Sequence, residues 1–516
     1  MNLDVALIGA GVSSTYTLLG LVRELRSRGH SAPVKVAIFE QCETTYGGLP
    51  YASRTHPRSL IITSLKDFLP VDERAKFAAW LSANKSWAFD RFKEGGGELA
   101  AKWLREHQAE MDADDWDPLF LPRYLFGEYL TDTVNRELAE SGSEDVIDFE
   151  FVNARVDDVS SVGGHYELVL ADGRTALADH VVLGLGTPPN GEKLATSEPT
   201  VGRVCLIDDP YAGGLGHATD RLSAEMPPAG DSPAKVLILG GNASTMELIF
   251  LLNDLGDERL VGAEYHVITL RGSLPPRLLP ARSGPPVTTP RLNELSGRKN
   301  KTARALYEAA LADIDAAVAA GYSITDTLEP VSRAIVPQVS ELDRLEQLEF
   351  ADRWGMELGR YQRRAGSDVW DVVDRLEQQG RFRMIAARYL GLGDISDEGA
   401  TVCCRGEGGD YLLDDRYAVI INCTGFAPIS GRSPALFDRL VAKGMCTPTP
   451  SGRGYHVSES MEIQDRLYVN GPFLAGNIVL GAPVWHMEHA GRCMTHGYRL
   501  AGQIANRLAT RVTCSE

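Results

Sequence analysis

Two glycine-rich segments of the sequence have the residue types and spacing that bind a dinucleotide. The first runs from Gly9 to Ser14 and reads GAGVSS, the pattern GxGxxG with serine in the third glycine position. The first two glycines allow a tight turn and a close approach of the backbone to a pyrophosphate, which then lies at the N-terminus of a helix. The second segment, Gly240 to Ser244, reads GGNAS and also follows an apolar run. Both segments predict dinucleotide binding.

The residue that ends the next apolar run differs between the two segments. Glu40 ends the run after the first, and its carboxylate can accept hydrogen bonds from the ribose hydroxyls of a bound adenosine. Arg271 follows the run after the second, where an arginine accommodates a 2′-phosphate. This difference suggests FAD at the first segment and NADPH at the second. For Arg271, a solvated charge at the end of a strand stays open as the alternative.

The glycine segments require a strand before them and a helix after them. The run from Asp4 to Ile8 predicts the first strand, with a helix that continues to Leu25, and Lys235 to Leu239 predicts the corresponding second strand. Two further apolar runs, His180 to Leu183 and Tyr417 to Asn422, also end in glycine turns. The predicted fold is α/β, with two dinucleotide-binding Rossmann-like domains, for FAD and NADPH, and a helical insert.

Composition along the chain divides these units. We expect residues 1–200 to form the FAD-binding domain, completed by 416–516, and residues 201–300 to form the NADPH-binding domain. Residues 301–415 would supply a helical insert that caps the active site, together with return strands. Within the insert glycine is scarce, and apolar residues recur at spacings of three and four.

The charge and the apolar pattern exclude several classes of protein. The 516 residues carry a formal net charge of -18, which opposes nucleic-acid binding. No run approaches the ~20 apolar residues of a membrane helix, so we expect no membrane partner and a cytoplasmic location. The eight cysteines form no CxxC pair, and the sequence predicts no metal site. Self-association into a homo-oligomer stays open.

Several charged side chains could bind substrate. Guanidinium groups match carboxylates, and the substrate candidates in or before the insert are Arg277, Arg291, Arg360 and Arg363. The alternative is that the insert arginines pair with neighbouring acids, such as Glu349, Asp352 and Glu357, on one helix face. His486 and His489 lie at the start of the predicted last helix, roughly Glu488 to Leu508, and are the candidate catalytic residues, because either could tune the flavin or contact substrate.

Further motifs follow in order along most of the chain. They are Gly47 to Tyr51, Leu60 to Ser64, Phe68 to Pro70, Leu121 to Tyr129, Asn422 to Gly425 and Leu467 to Pro472. With the first glycine segment, these motifs make the chain resemble the FAD/NAD(P)-binding flavoprotein monooxygenases that N-hydroxylate amino acids. The resemblance is greatest to the aspartate N-monooxygenase branch. A departure occurs at Ile61 and Ile62, where that family commonly has asparagine.

The resemblance, taken with the two glycine segments, gives a set of cofactor-binding residues. For FAD it implies the pyrophosphate loop, the ribose at Glu40 and a flavin-lining segment from Gly48 to Ser64, with the last helix pointing at the flavin. The complete predicted set is Gly9, Gly11, Ser13, Ser14, Glu40, Gly48, Leu49, Ser64, Gly240, Asn242, Ser244, Arg271, Thr424, Gly425 and Gly471.

The implied activity is an NADPH-dependent monooxygenation. FAD would be reduced by NADPH and react with dioxygen to give a C4a-hydroperoxyflavin, which would hydroxylate the amine of a small polar amino acid. The alternatives are a flavin reductase or dehydrogenase without oxygen insertion, S-oxygenation or Baeyer-Villiger oxidation, and a protein that uses bound FAD for structure or redox sensing. Cofactor chemistry needs no catalytic triad, so the protein has to orient the reactants and exclude water.

Overall fold

The structure is a computed structural model that describes residues 1–30, 32–43, 46–52, 54–95, 97–140, 142, 144–191, 193–194, 204–226, 233–279, 285–485 and 489–514. Its strands are β1 (Asn2–Ile8), β2 (Val34–Glu40), β3 (Ile147–Asn153), β4 (Val156–Val162), β5 (His165–Leu170), β6 (Thr175–Leu183), β7 (Cys205–Ile207), β8 (Lys235–Leu239), β9 (Glu264–Thr269), β10 (Phe382–Ala386), β11 (Arg388–Ser396), β12 (Gly399–Gly406), β13 (Gly409–Leu412), β14 (Val419–Asn422), β15 (Glu462–Gln464), β16 (Leu467–Val469), β17 (Asn477–Val479) and β18 (Ala482–Val484).

The helices lie between and after these strands, several of them in uninterrupted series. They are α1 (Val12–Arg28), α2 (Gly48–Tyr51), α3 (Leu65–Phe68), α4 (Val71–Ala88), α5 (Asp90–Glu94), α6 (Glu98–Glu106), α7 (Gln108–Asp112), α8 (Arg123–Ala139), α9 (Leu215–Glu225), α10 (Ala243–Leu252), α11 (Glu258–Val261), α12 (Pro290–Leu295), α13 (Ala303–Ala319), α14 (Ile324–Ser340), α15 (Arg344–Glu349), α16 (Gly355–Tyr361), α17 (Ser367–Gln378), α18 (Leu436–Ala442) and α19 (Ala490–Cys514). A π-helical turn, Phe350–Trp354, joins α15 to α16.

The first sheet has the strand order β15-β16-β6-β1-β2-β3, and β4 and β5 extend it from β6. β1 lies at its centre, parallel to both β2 and β6. Val5 to Ile8 are buried on both faces of the sheet, as expected for a parallel strand covered by helices. The late strand β16 pairs with β6, so residues from both ends of the sequence form this sheet.

Helices α1 and α19 pack closely on the first sheet. A Cβ added at Gly20 of α1 would lie 2.7 Å from the Cβ of Ala501, and one added at Gly497 of α19 would lie 2.9 Å from the Cβ of Tyr16. Only glycine permits backbones this close. Behind α1, the buried carboxylate of Glu73 on α4 accepts hydrogen bonds from the hydroxyls of Tyr16, at 2.9 Å, and Tyr129, at 2.7 Å. Glu73 thereby joins α1, α4 and α8.

The second sheet is parallel throughout, with the order β10-β9-β8-β14-β7. β8, the predicted second nucleotide strand, has the predicted bounds. The predicted fold class, α/β with two Rossmann-like units and a helical insert, is confirmed. Because Val419–Asn422 pairs within this second sheet, the chain returns to the first sheet after residue 422, later than the boundary at 416 that we predict from the sequence.

The insert contains two groups of helices. α13, α14 and the π-helical turn surround a separate apolar core that includes Leu306, Ile335 and Phe350. α17 instead buries Val372 and Val373 against the second sheet. Among the described residues, no helix combines the length and apolar character needed to cross a bilayer.

Candidate functional site

The first glycine segment forms a tight turn between β1 and α1. Gly9 has a φ of +94°, and a Cβ there would lie 2.4 Å from the carbonyl oxygen of Gly184. A Cβ at Gly184 would in turn lie 2.2 Å from Oγ of Ser14, a buried hydroxyl for which the described residues provide no hydrogen-bond partner. A Cβ at Gly11 would meet nothing within 4 Å, so open space lies beside the N-terminus of α1. No side chain caps α1.

This arrangement suits a pyrophosphate. The first N–H groups of a helix have no partner within the helix and carry partial positive charge, so they favour an anion. The open space at Gly11 gives a phosphate access to them, and the unpartnered Ser14 hydroxyl is a donor close by. The residues present therefore fit the pyrophosphate of a dinucleotide such as FAD.

Glu40 lies at the end of β2, as predicted, with its carboxylate toward the glycine turn. Its Oε2 accepts a hydrogen bond from the backbone N–H of Ala10 at 2.8 Å, and its Oε1 accepts one from the N–H of Cys42 at 3.0 Å. The two bonds fix the carboxylate beside the turn. The contact of Glu40 with a ribose stays a prediction.

Two other predicted cofactor residues from distant parts of the sequence adjoin the same turn. Gly48 has a φ of +64°, and its added Cβ would lie 3.0 Å from Cα of Gly11. An added Cβ at Gly471, after β16, would lie 2.7 Å from Oγ of Ser13. Next to Gly48, the side chain of Leu49 is exposed. Ser64 lies at the N-cap of the short helix α3 and makes no side-chain cap bond there.

The second glycine segment also forms a tight turn between a strand and a helix, β8 and α10, but here a side chain caps the helix. Gly240 has a φ of +101°, and its added Cβ would lie 2.4 Å from the carbonyl oxygen of Cys423. Oδ1 of Asn242 accepts from the N–H groups of Ser244, at 3.0 Å, and Thr245, at 3.3 Å, and so caps α10. Nδ2 of Asn242 donates to the carbonyl of Cys423 at 2.8 Å. The Asn242 side chain thus holds the loop together.

The predicted turn after β14 lies against this loop. Oγ1 of Thr424 donates to Oδ1 of Asn422 at 2.7 Å, and Gly425 has a φ of +104°. Arg271 follows β9 and is exposed at the same end of the second sheet. Burial raises the pKa of Tyr307 on α13, and the positive charge of Arg271 partly offsets that rise. Arg271 therefore lies within electrostatic range of Tyr307 on α13 of the insert.

A cavity of about 330 Å³ opens at the N-terminus of α19, and it is lined by Asp67, Leu69, Pro70, His489, Gly491, Arg492 and Thr495. Nε2 of His489 lies 2.8 Å from the carbonyl oxygen of Asp67. Because a carbonyl can only accept, Nε2 carries the proton and Nδ1 is the acceptor of a neutral ring. Burial lowers the pKa of His489, which favours that neutral form. The other candidate, His486, lies outside the described residues.

The four predicted substrate arginines do not come together. Arg277 is held by Asp371, at 2.8 Å, and Asp374, at 2.5 Å, on α17. Arg360 pairs with Glu357 at 2.6 Å, which is the helix-face pairing that we gave as the alternative. The side chain of Arg291 is 63% exposed and lies 3.7 Å from Glu294, while Arg363 is exposed after α16.

Two other arginines, outside the predicted substrate set, lie at the cavity or near one of its lining residues. Arg492 lines it, with its guanidinium over the ring of Trp485 at 5.6 Å. Arg364 is half-buried, and burial lowers its pKa while the nearby Asp67 carboxylate partly opposes that shift. Arg364 adjoins the predicted Arg363 in sequence, but only the tertiary structure distinguishes them. Among the described residues, no cluster of His, Cys, Asp and Glu could hold a metal ion.

Comparison with known proteins agrees with this geometry. Residues 6–188 match the family model described as FAD-NAD(P)-binding. The amino-terminal part of the chain is thus similar to FAD/NAD(P)-binding domains. Over 97% of its length the chain is also 29% identical to an uncharacterized protein of Mycobacterium tuberculosis, of which it covers 95%. A protein of Mycobacterium bovis matches equally well.

The likeness in fold extends beyond the matched residues, because solved structures superpose on nearly the whole chain. Ornithine hydroxylase PvdA from Pseudomonas aeruginosa superposes with a TM-score of 0.55 at 14% identity, over 98% of this chain and 100% of that one. The ornithine N-hydroxylase KtzI of Kutzneria sp. 744 gives 0.54 at 16%, over 98% and 100%. L-lysine 6-monooxygenase from Pseudomonas syringae gives 0.53 at 12%, over 98% and 99%. These likenesses establish the fold.

Proposed function

We propose that the protein is an FAD- and NADPH-dependent monooxygenase that N-hydroxylates the amine of a small polar amino acid. The observation that carries the proposal is the presence of two glycine turns, each between a parallel strand and a helix, in a fold shared with ornithine hydroxylase and L-lysine 6-monooxygenase.

We place the protein in the cytoplasm. The seven cysteines that the structure describes are free thiols, as expected in that reducing compartment.

The chain's own residues would hold both cofactors. The N–H groups at the start of α1, beside Gly11, would bind the FAD pyrophosphate, and Glu40 would bind the adenosine ribose. At the second turn, the N-terminus of α10 would face the NADPH pyrophosphate, with Arg271 beside the 2′-phosphate. Bound FAD supplies the redox chemistry, since it accepts a hydride from NADPH and, once reduced, activates dioxygen.

The cavity at α19 would bind the substrate. Arg364 and Arg492 can hold a carboxylate, because guanidinium groups bind carboxylates through paired hydrogen bonds. The amine must be neutral to act as a nucleophile. Nδ1 of neutral His489 is an acceptor at the cavity wall and would take the proton from the substrate ammonium. Leu69 and Pro70 would exclude water from the same space.

The direct test is NADPH oxidation by the purified protein in air, with a panel of amino acids and diamines, while hydroxylamine and hydrogen peroxide are assayed together. We expect one amine to give hydroxylamine in proportion to the NADPH consumed. Peroxide alone with every amine would reduce the assignment to an oxidase or reductase. A protein that purifies without flavin and ignores NADPH would contradict the flavoenzyme assignment itself.

Two variants test the residue roles. Arg364→Gln should raise the KM for the amino acid about tenfold or more and leave FAD content unchanged, since charged hydrogen bonds contribute about 1.5–3 kcal/mol. Arg291→Gln, at the exposed site, is the matched control and should leave the KM unchanged.

The Arg271→Ser variant tests the 2′-phosphate contact. It should weaken the binding of NADPH but not of NADH, and equal losses of affinity for both would contradict that contact.

A further inference from the structure

Two largely buried ion pairs connect α10 of the second unit to the first unit. Nη1 of Arg123, at the start of α8, lies 3.0 Å from Oε1 of Glu247 on α10, and the two side chains are 13% and 11% exposed. Nη1 of Arg58 lies 3.2 Å from Oδ2 of Asp254, just beyond the end of α10, and these side chains are 9% and 0% exposed. The helix that follows the second glycine turn is therefore held to the first unit at two points.

The Arg123 guanidinium also contacts the predicted flavin-lining segment. Its Nε donates to the carbonyl of Leu60 at 2.7 Å, and the backbone N–H of Arg123 donates to the carbonyl of Ser59 at 2.8 Å. One side chain thus bonds both the segment that runs to Ser64 and the helix whose N-terminus would face the second pyrophosphate.

Glu247 has a similar double role on its side of the interface. Its Oε2 accepts a hydrogen bond from the hydroxyl of Tyr211 at 2.9 Å, and the Tyr211 ring is near the start of α10. At the other anchor, the Asp254 carboxylate also accepts from the backbone N–H groups of Gly97, at 3.2 Å, and Leu99, at 2.8 Å. Each anchor therefore combines an ion pair with hydrogen bonds from its carboxylate to neighbouring groups.

Stability alone does not account for such pairs. Removing two charges from water costs several kcal/mol each, and well-packed apolar side chains often replace a buried ion pair without loss. What an ion pair with shared hydrogen bonds provides is a defined position. Hydride transfer depends on position, since a displacement of about 1 Å can cost about 100-fold in rate.

We infer that Arg123 and Glu247 are positioning residues that set the nicotinamide dinucleotide at the correct distance from the flavin for hydride transfer. The inference rests on the proposed function only for the presence of two bound dinucleotides. It assigns the pair to the reductive step and not to the reaction of reduced flavin with oxygen, because the pair connects the helix after the second glycine turn to the predicted flavin-lining segment.

The experiment separates the two half-reactions of the FAD-loaded protein. Glu247→Gln and Arg123→Lys variants would be mixed rapidly with NADPH without oxygen, and the loss of flavin absorbance would be followed. In parallel, dithionite-reduced protein would be mixed with oxygenated buffer. We expect flavin reduction at saturating NADPH to slow about tenfold or more, with an unchanged rate of reoxidation and an unchanged FAD content.

The control is Glu357→Gln, which removes the exposed ion pair with Arg360 in the insert and should change neither rate. A reduction rate equal to the wild type in both interface variants would overturn the inference, and so would equal losses in both half-reactions. If Glu247→Gln does not fold, the double variant Arg123→Met, Glu247→Leu, which replaces the ion pair by two apolar side chains, serves instead. This variant should fold and bind FAD, and NADPH should reduce its flavin slowly. A wild type that NADPH reduces without forming any hydroxylamine would contradict the proposed function and leave this inference standing.

Discussion

Oε2 of Glu40 lies 2.8 Å from the backbone nitrogen of Ala10 and accepts its hydrogen bond. The bond connects the end of β2 to the first glycine turn, so the acid that we expect to bind the ribose also fixes the loop that we expect to bind the pyrophosphate. Truncating the Glu40 side chain would remove both roles at once. An isosteric substitution removes its charge and keeps its shape.

Glu40→Gln keeps one acceptor oxygen for Ala10 and removes the charge. We expect the Kd of the apoprotein for FAD to rise about tenfold, because hydrogen bonds to a charged acceptor are about twice as strong as neutral ones. Flavin fluorescence quenching measures this affinity. Glu24→Gln on the exposed side of α1 is the control, and an unchanged FAD affinity in Glu40→Gln would exclude the ribose contact.

Gly11→Ala should abolish cofactor binding without affecting the fold. Its φ of -74° suits any residue, and the added Cβ meets no protein atom within 4 Å. The methyl group would instead occupy the space that we assign to the pyrophosphate. We expect a colourless protein with wild-type circular dichroism, whereas Gly391→Ala, at a similarly open site on β11, should remain yellow. A yellow Gly11→Ala protein would place the pyrophosphate elsewhere.

The strands and turns that the sequence predicts well are those that a short stretch of residues encodes. β1, β8 and the glycine turns follow from apolar runs beside glycines, because a parallel strand and its turn are encoded within about fifteen residues. The partners of arginines are not encoded in this way. The sequence around Arg277 suggests an anion-binding site. The acids that pair with Arg277 in the structure, Asp371 and Asp374, are 94 and 97 residues away in sequence.

The interface pairs illustrate the same limit. Glu247 is the one charged residue of the apolar helix α10, and Arg123 lies in the motif from Leu121 to Tyr129. Nothing adjacent in sequence indicates that the two side chains pair, since 124 residues separate them. Likewise, Arg364 and Arg363 are neighbours of the same type, yet Arg363 is exposed while Arg364 is half-buried near Asp67. Burial of a charge is a tertiary property.

Removing the Glu73 carboxylate should destabilise the protein. Glu73→Ala leaves the hydroxyls of Tyr16 and Tyr129 buried without their acceptor, and we expect the free energy of unfolding to fall by about 3 kcal/mol. Glu73→Gln retains an acceptor and should lose less. Denaturant unfolding followed by tryptophan fluorescence measures the difference. Glu140→Ala, at a carboxylate that is 59% exposed, should change little.

Stability should also fall in mild acid. Burial, with a smaller effect of Arg58, lowers the pKa of His56 from 6.5 to about 4. Between these values the unfolded chain binds a proton that the folded protein does not, so the free energy of unfolding decreases as the pH falls from 6.5 to 4. The loss is on the order of 3 kcal/mol at most.

The His56→Gln variant tests this pH dependence. Its unfolding free energy should depend less on pH between 6.5 and 4 than that of the wild type, as measured by urea denaturation across the interval. His217→Gln, at an exposed histidine, should retain the wild-type slope. An identical slope in His56→Gln would assign the acid sensitivity to other groups, of which His496, with a pKa lowered to about 4, is the first to examine.

The pairing of β16 with β6 and the packing of α19 on α1 have a consequence for biosynthesis. A ribosome adds about 5–20 residues per second, so tens of seconds separate the emergence of β6 from that of α19. During that interval the nascent chain exposes the apolar surface of α1 and lacks Gly471 beside its first glycine turn. We therefore expect FAD to bind only after α19 has left the ribosome, and chaperones that shield α1 until then to determine the yield of yellow protein.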